Sequence, residues 1–354
     1  MTNLFDPLAL GALHLSNRVV MAPMTRSRAD DLGRVGPLTA TYYEQRASAG
    51  LIISEGIFPE AMGKGYVRTP GLADDAQVEA WRPVTQAVHS RGGRIFAQLM
   101  HAGRISDPLF LPGHATPIAP SAVQPKGSSY TDEGMRPHIT PRALETEEIA
   151  GVTEGYRRAT ERALAAGFDG VELHAASGYL PEQFLSSNTN LRDDAYGGSI
   201  ANRARFILET LDAMVSVAGG DRVGIKIAPG MNFNDIAEAT PVETYTYLVD
   251  AIAPRRLAYL HVAVLGKTDY HALLRPRFQG AYFAGGGFTL ERAEETLARG
   301  GADAIVFGAP YIANPDLPER FRLRAPLATP DRSTFYAGGA QGYVDYPVLA
   351  EAAG

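Results

Sequence analysis

Short, apolar, β-branched runs recur along the chain, separated by longer amphipathic stretches. Eight stand out: residues 18–22, 51–54, 94–99, 170–174, 223–227, 259–262, 281–284 and 304–307. Each is mostly continuous rather than alternating, the pattern of a strand covered on both faces. The clearest helical stretches are 39–49, 75–91, 145–166, 199–217, 241–252 and 289–299. Thr146 ahead of Glu147 and Glu148, and Thr289 ahead of Glu291, read as helix starts. Gly50, Gly92, Gly167 and Gly300 read as stops. Eight strand-then-helix units predict an α/β fold, a single (β/α)8 TIM barrel. The alternative is an open doubly wound sheet, but no Gly-x-Gly-x-x-Gly follows the first run.

Two segments fall outside the alternation. Leu8 to Leu15 reads as a tight hairpin around Gly11-Ala12, suited to plugging the bottom of a barrel. Residues 100–142, rich in Pro, Gly, Ser and Thr, form a long insertion after the third strand. Loops of that length are usually functional or disordered, and at a barrel strand's C-terminal end one would cap the active-site face. The 354 residues give a soft prior of two or three domains at roughly 150 each. No repeat, low-complexity tract or linker divides them, so residues 1–354 are expected to form one barrel unit.

Composition narrows the chemistry. Lys plus Arg number 33 and Asp plus Glu 39, a formal net charge of −6, which argues against a nucleic-acid partner. The chain has no cysteine. Disulfides, cysteine-ligated zinc, iron–sulfur clusters and a thiolate nucleophile are thereby excluded. Redox work would fall to an organic cofactor or to a metal on other ligands. The first residues lack the signature of a signal peptide, and no run of about 18 apolar residues suggests a membrane span. A soluble cytoplasmic protein is the expectation.

The densest polar candidate is His174-Ala-Ala-Ser177-Gly-Tyr179, at the end of the fourth predicted strand. Any one of these side chains alone reads as a strand cap or a residue packed under a loop. Three hydrogen-bonding groups within six positions of one strand end read as catalytic. A His and a hydroxyl could grip a carbonyl while a phenol delivers a proton.

That stretch also carries a resemblance. It runs on through Gln183-Phe184-Leu185, Asn190, Tyr196-Gly-Gly-Ser199 and Asn202-Arg203-Ala204-Arg205-Phe206. With Asn17 to Arg26, Ser54-Glu55-Gly56, Gln98 to Arg104, Ile312-Ala-Asn-Pro-Asp-Leu317 and Gly342 to Pro347, it resembles the Old Yellow Enzyme family in its classical branch. The resemblance spans nearly the whole chain. It implies an FMN-dependent ene-reductase that takes hydride from NADPH or NADH and passes it to α,β-unsaturated carbonyl or nitro compounds. It implies no metal, and family members are monomers or homodimers. His174 and Ser177 would bind the substrate oxygen and Tyr179 would protonate the α-carbon. Thr25 would bond the flavin and also face the substrate. Gln98 and Gly56 would hold the pyrimidine edge, and Tyr66 and Met100 would line the substrate pocket. The remaining cofactor contacts would come from Ala22, Pro23, Met24, Lys226, Gly285, Gly286, Gly287, Gly308 and Ala309.

Several positions depart from the family pattern. Ser177 stands where Asn or His is usual, and its hydroxyl reaches less far. Met100 replaces an aromatic, which would widen the pocket floor. Lys226 replaces an arginine, supplying a point charge without the guanidinium fork. Ala309 stands where an arginine usually clamps the flavin phosphate; Arg275, Arg277 or Lys267 are candidate substitutes. Asp107 replaces a frequent His. These departures keep three alternatives in view: a flavin-dependent isomerase or dehydrogenase, a binding barrel with a degenerate flavin site, and Schiff-base chemistry at Lys226.

Overall fold

A computed structural model of the chain describes residues 2–349. Eight parallel strands close into a barrel: β1 (Val19–Met21), β2 (Leu51–Ile53), β3 (Ile95–Leu99), β4 (Gly170–His174), β5 (Val223–Ile227), β6 (Tyr259–Ala263), β7 (Ala281–Gly285) and β8 (Ala304–Phe307). Every strand pairs with its sequence neighbours, and β8 pairs with β1, as Val306 opposite Val20 illustrates. The predicted strands recur within a residue of their ends. Their continuous apolar character follows from the geometry, because one face meets the barrel interior and the other meets the helices. The doubly wound alternative is thereby set aside.

The long helices Asp75–Ser90, Thr146–Ala165, Ile200–Ala218, Pro241–Ile252 and Leu290–Ala298 lie close to the predicted spans. The first helix differs more, running over Pro37–Glu44 rather than 39–49. Pro37 opens it after Gly36, and Arg46 ends it by donating to the Tyr42 carbonyl at 2.8 Å and to carbonyls of Tyr311 and Ile312. Short helices at Leu180–Leu185, Tyr270–Leu274, Ala309–Ala313 and Leu317–Arg322 are too brief to leave a periodic pattern.

The N-terminal hairpin pairs Leu8–Leu10 with Leu13–Leu15 in antiparallel register. Leu10 and Leu15 are buried in an inner cluster with Val20, Leu51, Ile53, Phe96, Tyr259 and Phe283. The plug therefore closes the barrel end opposite the C-terminal mouth. The insertion after β3 folds over that mouth as two 3-10 turns and a hairpin of Ser128–Thr131 against Gly134–Pro137. Asp107 now has a physical role. Its buried carboxylate accepts the Leu109 N–H at 3.0 Å and pairs with Arg136 of the hairpin at 3.1 Å. None of the described helices is long and apolar enough to cross a membrane.

Because the plug seals the inner cluster, Leu10→Ala is expected to lower the unfolding free energy by about 2–5 kcal/mol in a denaturant titration. The same change at half-buried Leu8 should cost clearly less. Equal, small effects at both positions would contradict the packing.

Candidate active site

A cavity of about 920 Å³ opens at the C-terminal mouth of the barrel. From β1 come Ala22, Pro23, Met24 and Thr25, from the turn after β2 Gly56 and Tyr66, and from β3 Gln98 and Met100. β4 brings His174, Ser177 and Tyr179, β5 Lys226, and β8 Gly308 and Ala309. The predicted site residues thus converge, with one group apart. Gly285, Gly286 and Gly287 at the end of β7 do not line this cavity. The Gly286 carbonyl instead accepts from Arg292 at 3.4 Å, beside a second cavity lined by Lys267, His271, Arg275, Arg292 and Arg299.

The polar floor is built on a buried carboxylate. Glu172 of β4 points into the barrel and accepts the Gln98 amide at 2.7 Å, with His261 of β6 at 3.0 Å from its second oxygen. With its NH2 group committed there, Gln98 turns its carbonyl oxygen elsewhere. Lys226 lies opposite His174 in strand register and has no carboxylate within ion-pairing distance among the described residues. Burial lowers its pKa, and Glu172 pulls the other way. A structural ion pair therefore does not account for Lys226.

His174 is buried, and its Nδ1 atom has no hydrogen-bond partner within the protein. Burial above all, then the charges of Lys226 and His261, hold its imidazole well below the ordinary histidine range. The ring is neutral at physiological pH, with one N–H to donate and one nitrogen to accept. Its edge meets the Tyr179 ring at a centroid distance of 4.8 Å. The Tyr179 and Tyr66 hydroxyls sit 2.9 Å apart. Burial and the neighbouring Tyr66 push the Tyr179 hydroxyl well above its ordinary value, and burial raises Tyr66 as well. Both phenols therefore keep their protons at neutral pH. Ser177 adopts a left-handed φ of 59°, and its carbonyl accepts from the Asn234 amide at 2.8 Å.

Three walls of the cavity escaped sequence reasoning. The cap hairpin brings Ser128, Ser129, Tyr130 and Met135, and the loop after β5 brings Phe233. The third is the C-terminal segment Phe335-Tyr336-Ala337. Arg28 holds that segment by donating to the carbonyls of Thr334, Phe335 and Ala337 at 2.8–3.0 Å, and Arg26 donates to Phe335 at 3.1 Å. The sequence signal was present in Arg26-Ser-Arg28 and Thr334-Phe-Tyr336, but nothing linked segments about 310 residues apart.

The chain matches the NADH:flavin oxidoreductase / NADH oxidase family over residues 3–327. It belongs to that family. Among curated relatives, 12-oxophytodienoate reductase 1 of Oryza sativa is 42% identical, with 98% of this chain and 93% of the relative covered. A Leishmania infantum protein described as "Probable flavin mononucleotide-dependent alkene reductase" is 40% identical, at 98% and 97% coverage. A morphinone reductase variant in complex with tetrahydroNAD superposes with a TM-score of 0.97 at 48% identity, each chain covered in full. The Old Yellow Enzyme homologue of Zymomonas mobilis gives 0.96 at 39% identity, covering 98% of this chain and all of that one. The Old Yellow Enzyme resemblance and its (β/α)8 fold therefore stand.

The donor set fits a flavin ring: a threonine hydroxyl, a fixed amide carbonyl and an unpaired ammonium converge on one cavity whose buried His174 leaves a polar atom unpartnered. A Cβ built on Gly308 would lie 3.8 Å from Ala22 and 3.9 Å from Met24, ordinary contact distances, so space within the protein does not by itself require a glycine there. The β8 end, where the resemblance implies the phosphate, is different. Ala309 is exposed and carries no charge, Arg275 is tied to Asp303 at 3.1 Å, and Arg277 to Asp250 at 2.8 Å. Of the three cations considered as substitutes, only Lys267 lacks an ion-pair partner among the described residues.

Ala309→Arg is accordingly expected to tighten FMN binding by about 10–100-fold, the worth of one charge-assisted hydrogen bond. Fluorescence titration should show riboflavin, which lacks the phosphate, unaffected. Equal tightening of both would contradict the assignment.

Proposed function

We propose that this flavin oxidoreductase reduces the activated C=C bond of α,β-unsaturated carbonyl or nitro compounds, with NAD(P)H as hydride donor. Bound FMN would supply hydride transfer between the nicotinamide and the β-carbon of the alkene. Thr25, Gln98, the Gly56 backbone and Lys226 would hold the ring, with Ala22, Pro23, Met24, Gly308 and Ala309 as the surrounding wall. Lys226 would place a positive charge where the reduced ring collects negative charge, as a point charge rather than a fork.

The chain's own residues do the rest. A neutral His174 donates an N–H to the substrate oxygen, and the Ser177 hydroxyl adds a second donor. Both act in a buried site where such bonds stabilise developing charge more than in water. Tyr66 and Met100 shape the pocket around the alkene. The observation that carries the reading is the Tyr179–Tyr66 pair, held at 2.9 Å beside His174. Tyr179 keeps its proton at neutral pH and can give it to the α-carbon. The Tyr66 hydroxyl, within hydrogen-bond distance, fixes where the Tyr179 hydroxyl sits for that transfer.

Tyr179→Phe is expected to leave flavin reduction by NAD(P)H within about two-fold and to slow reoxidation by cyclohexenone by about 10²-fold, a typical general-acid contribution. Rapid-mixing absorbance separates the two half-reactions. The function itself is tested by mixing purified protein with FMN and following NAD(P)H oxidation driven by cyclohexenone or a maleimide. Protein that FMN does not turn yellow, or a product of unchanged mass, would overturn it.

A further inference from the structure

The turn that presents Ser177 and Tyr179 contains two consecutive left-handed residues, Ser177 at φ 59° and Gly178 at φ 76°. A side chain at Gly178 would be forced within 2.6 Å of the Asn234 Cβ. Such a conformation persists only where its surroundings over-determine it. Here the following helix, Leu180–Leu185, reaches back with two side chains. Glu182 accepts the Gly178 N–H at 2.6 Å, and Gln183 donates to the Gly178 carbonyl at 2.7 Å. The second oxygen of Glu182 accepts the hydroxyl of Tyr245, on helix Pro241–Ile252, at 2.5 Å. Gln183 is anchored in turn to the Ala102 carbonyl at 2.9 Å.

Glu182 is 1% exposed. A carboxylate buried so completely is costly unless its hydrogen bonds do something specific. Nothing in the proposed reaction uses it, and it does not line the substrate cavity. We infer that Glu182 is a positioning residue: by gripping the Gly178 N–H against Tyr245, it holds the turn that aims the Tyr179 hydroxyl and the Ser177 donor. This rests on reading Tyr179 as the proton donor.

The grip has a pH dependence whose sign follows from its chemistry. Burial pushes the Glu182 carboxyl up to about 7, against the hydrogen bonds from Tyr245 and Gly178. The other titratable groups around the small cavity on its far side are Glu238, which is paired with Arg203, together with Lys267 and Tyr270. As pH falls through about 7 the charge-assisted acceptor becomes a neutral one, and proton delivery by Tyr179 should weaken. Glutamine preserves both bonds, with its carbonyl on Gly178 and its amide on Tyr245, but cannot titrate.

The experiment compares Glu182→Leu, Glu182→Gln and Tyr179→Phe in FMN-reconstituted enzyme. In E182L, flavin reduction by NAD(P)H should stay within about two-fold while reoxidation by cyclohexenone slows at least about ten-fold, because displacement of a catalytic group by an ångström costs that much or more. Hydrogen exchange at the Gly178 amide should accelerate by at least about ten-fold, without flavin turnover. E182Q should restore reoxidation to within about three-fold and abolish its inflection near pH 7. If E182L does not fold, the E182Q pH profile and Tyr245→Phe, which removes one donor from the carboxylate, carry the test. Reoxidation at the parent rate in E182L, equal loss in both half-reactions, or an inflection that survives in E182Q would overturn the positioning role. Parent-rate reoxidation in Tyr179→Phe would instead overturn the proton-donor reading beneath it.

Discussion

One buried carboxylate organises the barrel. Glu172 lies on β4 directly opposite Gln98 of β3, and its side chain joins β3, β4 and β6 across the interior through Gln98 and His261. Beneath it the barrel is filled by the apolar cluster that the N-terminal plug completes. Above it the cavity opens. A charge in such a position is tolerable only when its acceptor sites are taken and an opposite charge is near. Gln98, His261 and Lys226 meet those conditions, and each is thereby oriented: the amide carbonyl is freed, and the ammonium is drawn to the cavity floor without being neutralised by direct contact. The polarity of the mouth is thus set from inside the sheet.

The mouth is finished by parts of the chain remote in sequence. Asp107 ties the cap hairpin down through Arg136, and Arg26 and Arg28 bind the C-terminal segment by its backbone carbonyls. Backbone carbonyls as partners make that last contact indifferent to which side chains the segment carries. Tyr336, 62% exposed at the cavity rim, can therefore vary in identity without loosening the wall. The floor is built from strand ends and the turns directly after them, and the rim from loops remote in sequence. The β8 loop contributes Gly308 and the uncharged Ala309 to that mouth.

Most of the barrel was legible because both faces of each strand are buried, which writes continuous apolar runs into the sequence. The long helices were legible from periodicity and from caps such as Thr289. The first helix was not, since Arg46 ends it through tertiary contacts with the chain near Tyr311. Strand-end motifs placed Thr25, Gln98, His174, Tyr179 and Lys226 together, because a parallel barrel gathers all its C-terminal ends on one face. The Gly285–Gly287 triplet reads as a cradle by composition alone, and it does not line the cavity that gathers the other expected site residues. The Tyr66–Tyr179 hydrogen bond, the Glu182 grip and the C-terminal wall depend on distances between segments far apart in the chain. No local pattern encodes them.

The central claim is that hydride and proton come from different places, the hydride from NAD(P)H to the β-carbon and the proton from Tyr179, which exchanges with solvent, to the α-carbon. Turnover of cyclohexenone in D2O with unlabelled NAD(P)H, read by NMR of the product, tests it directly. Deuterium at the α-carbon and none at the β-carbon is the predicted result. Deuterium at the β-carbon, or unreduced product carrying exchanged label, would contradict it.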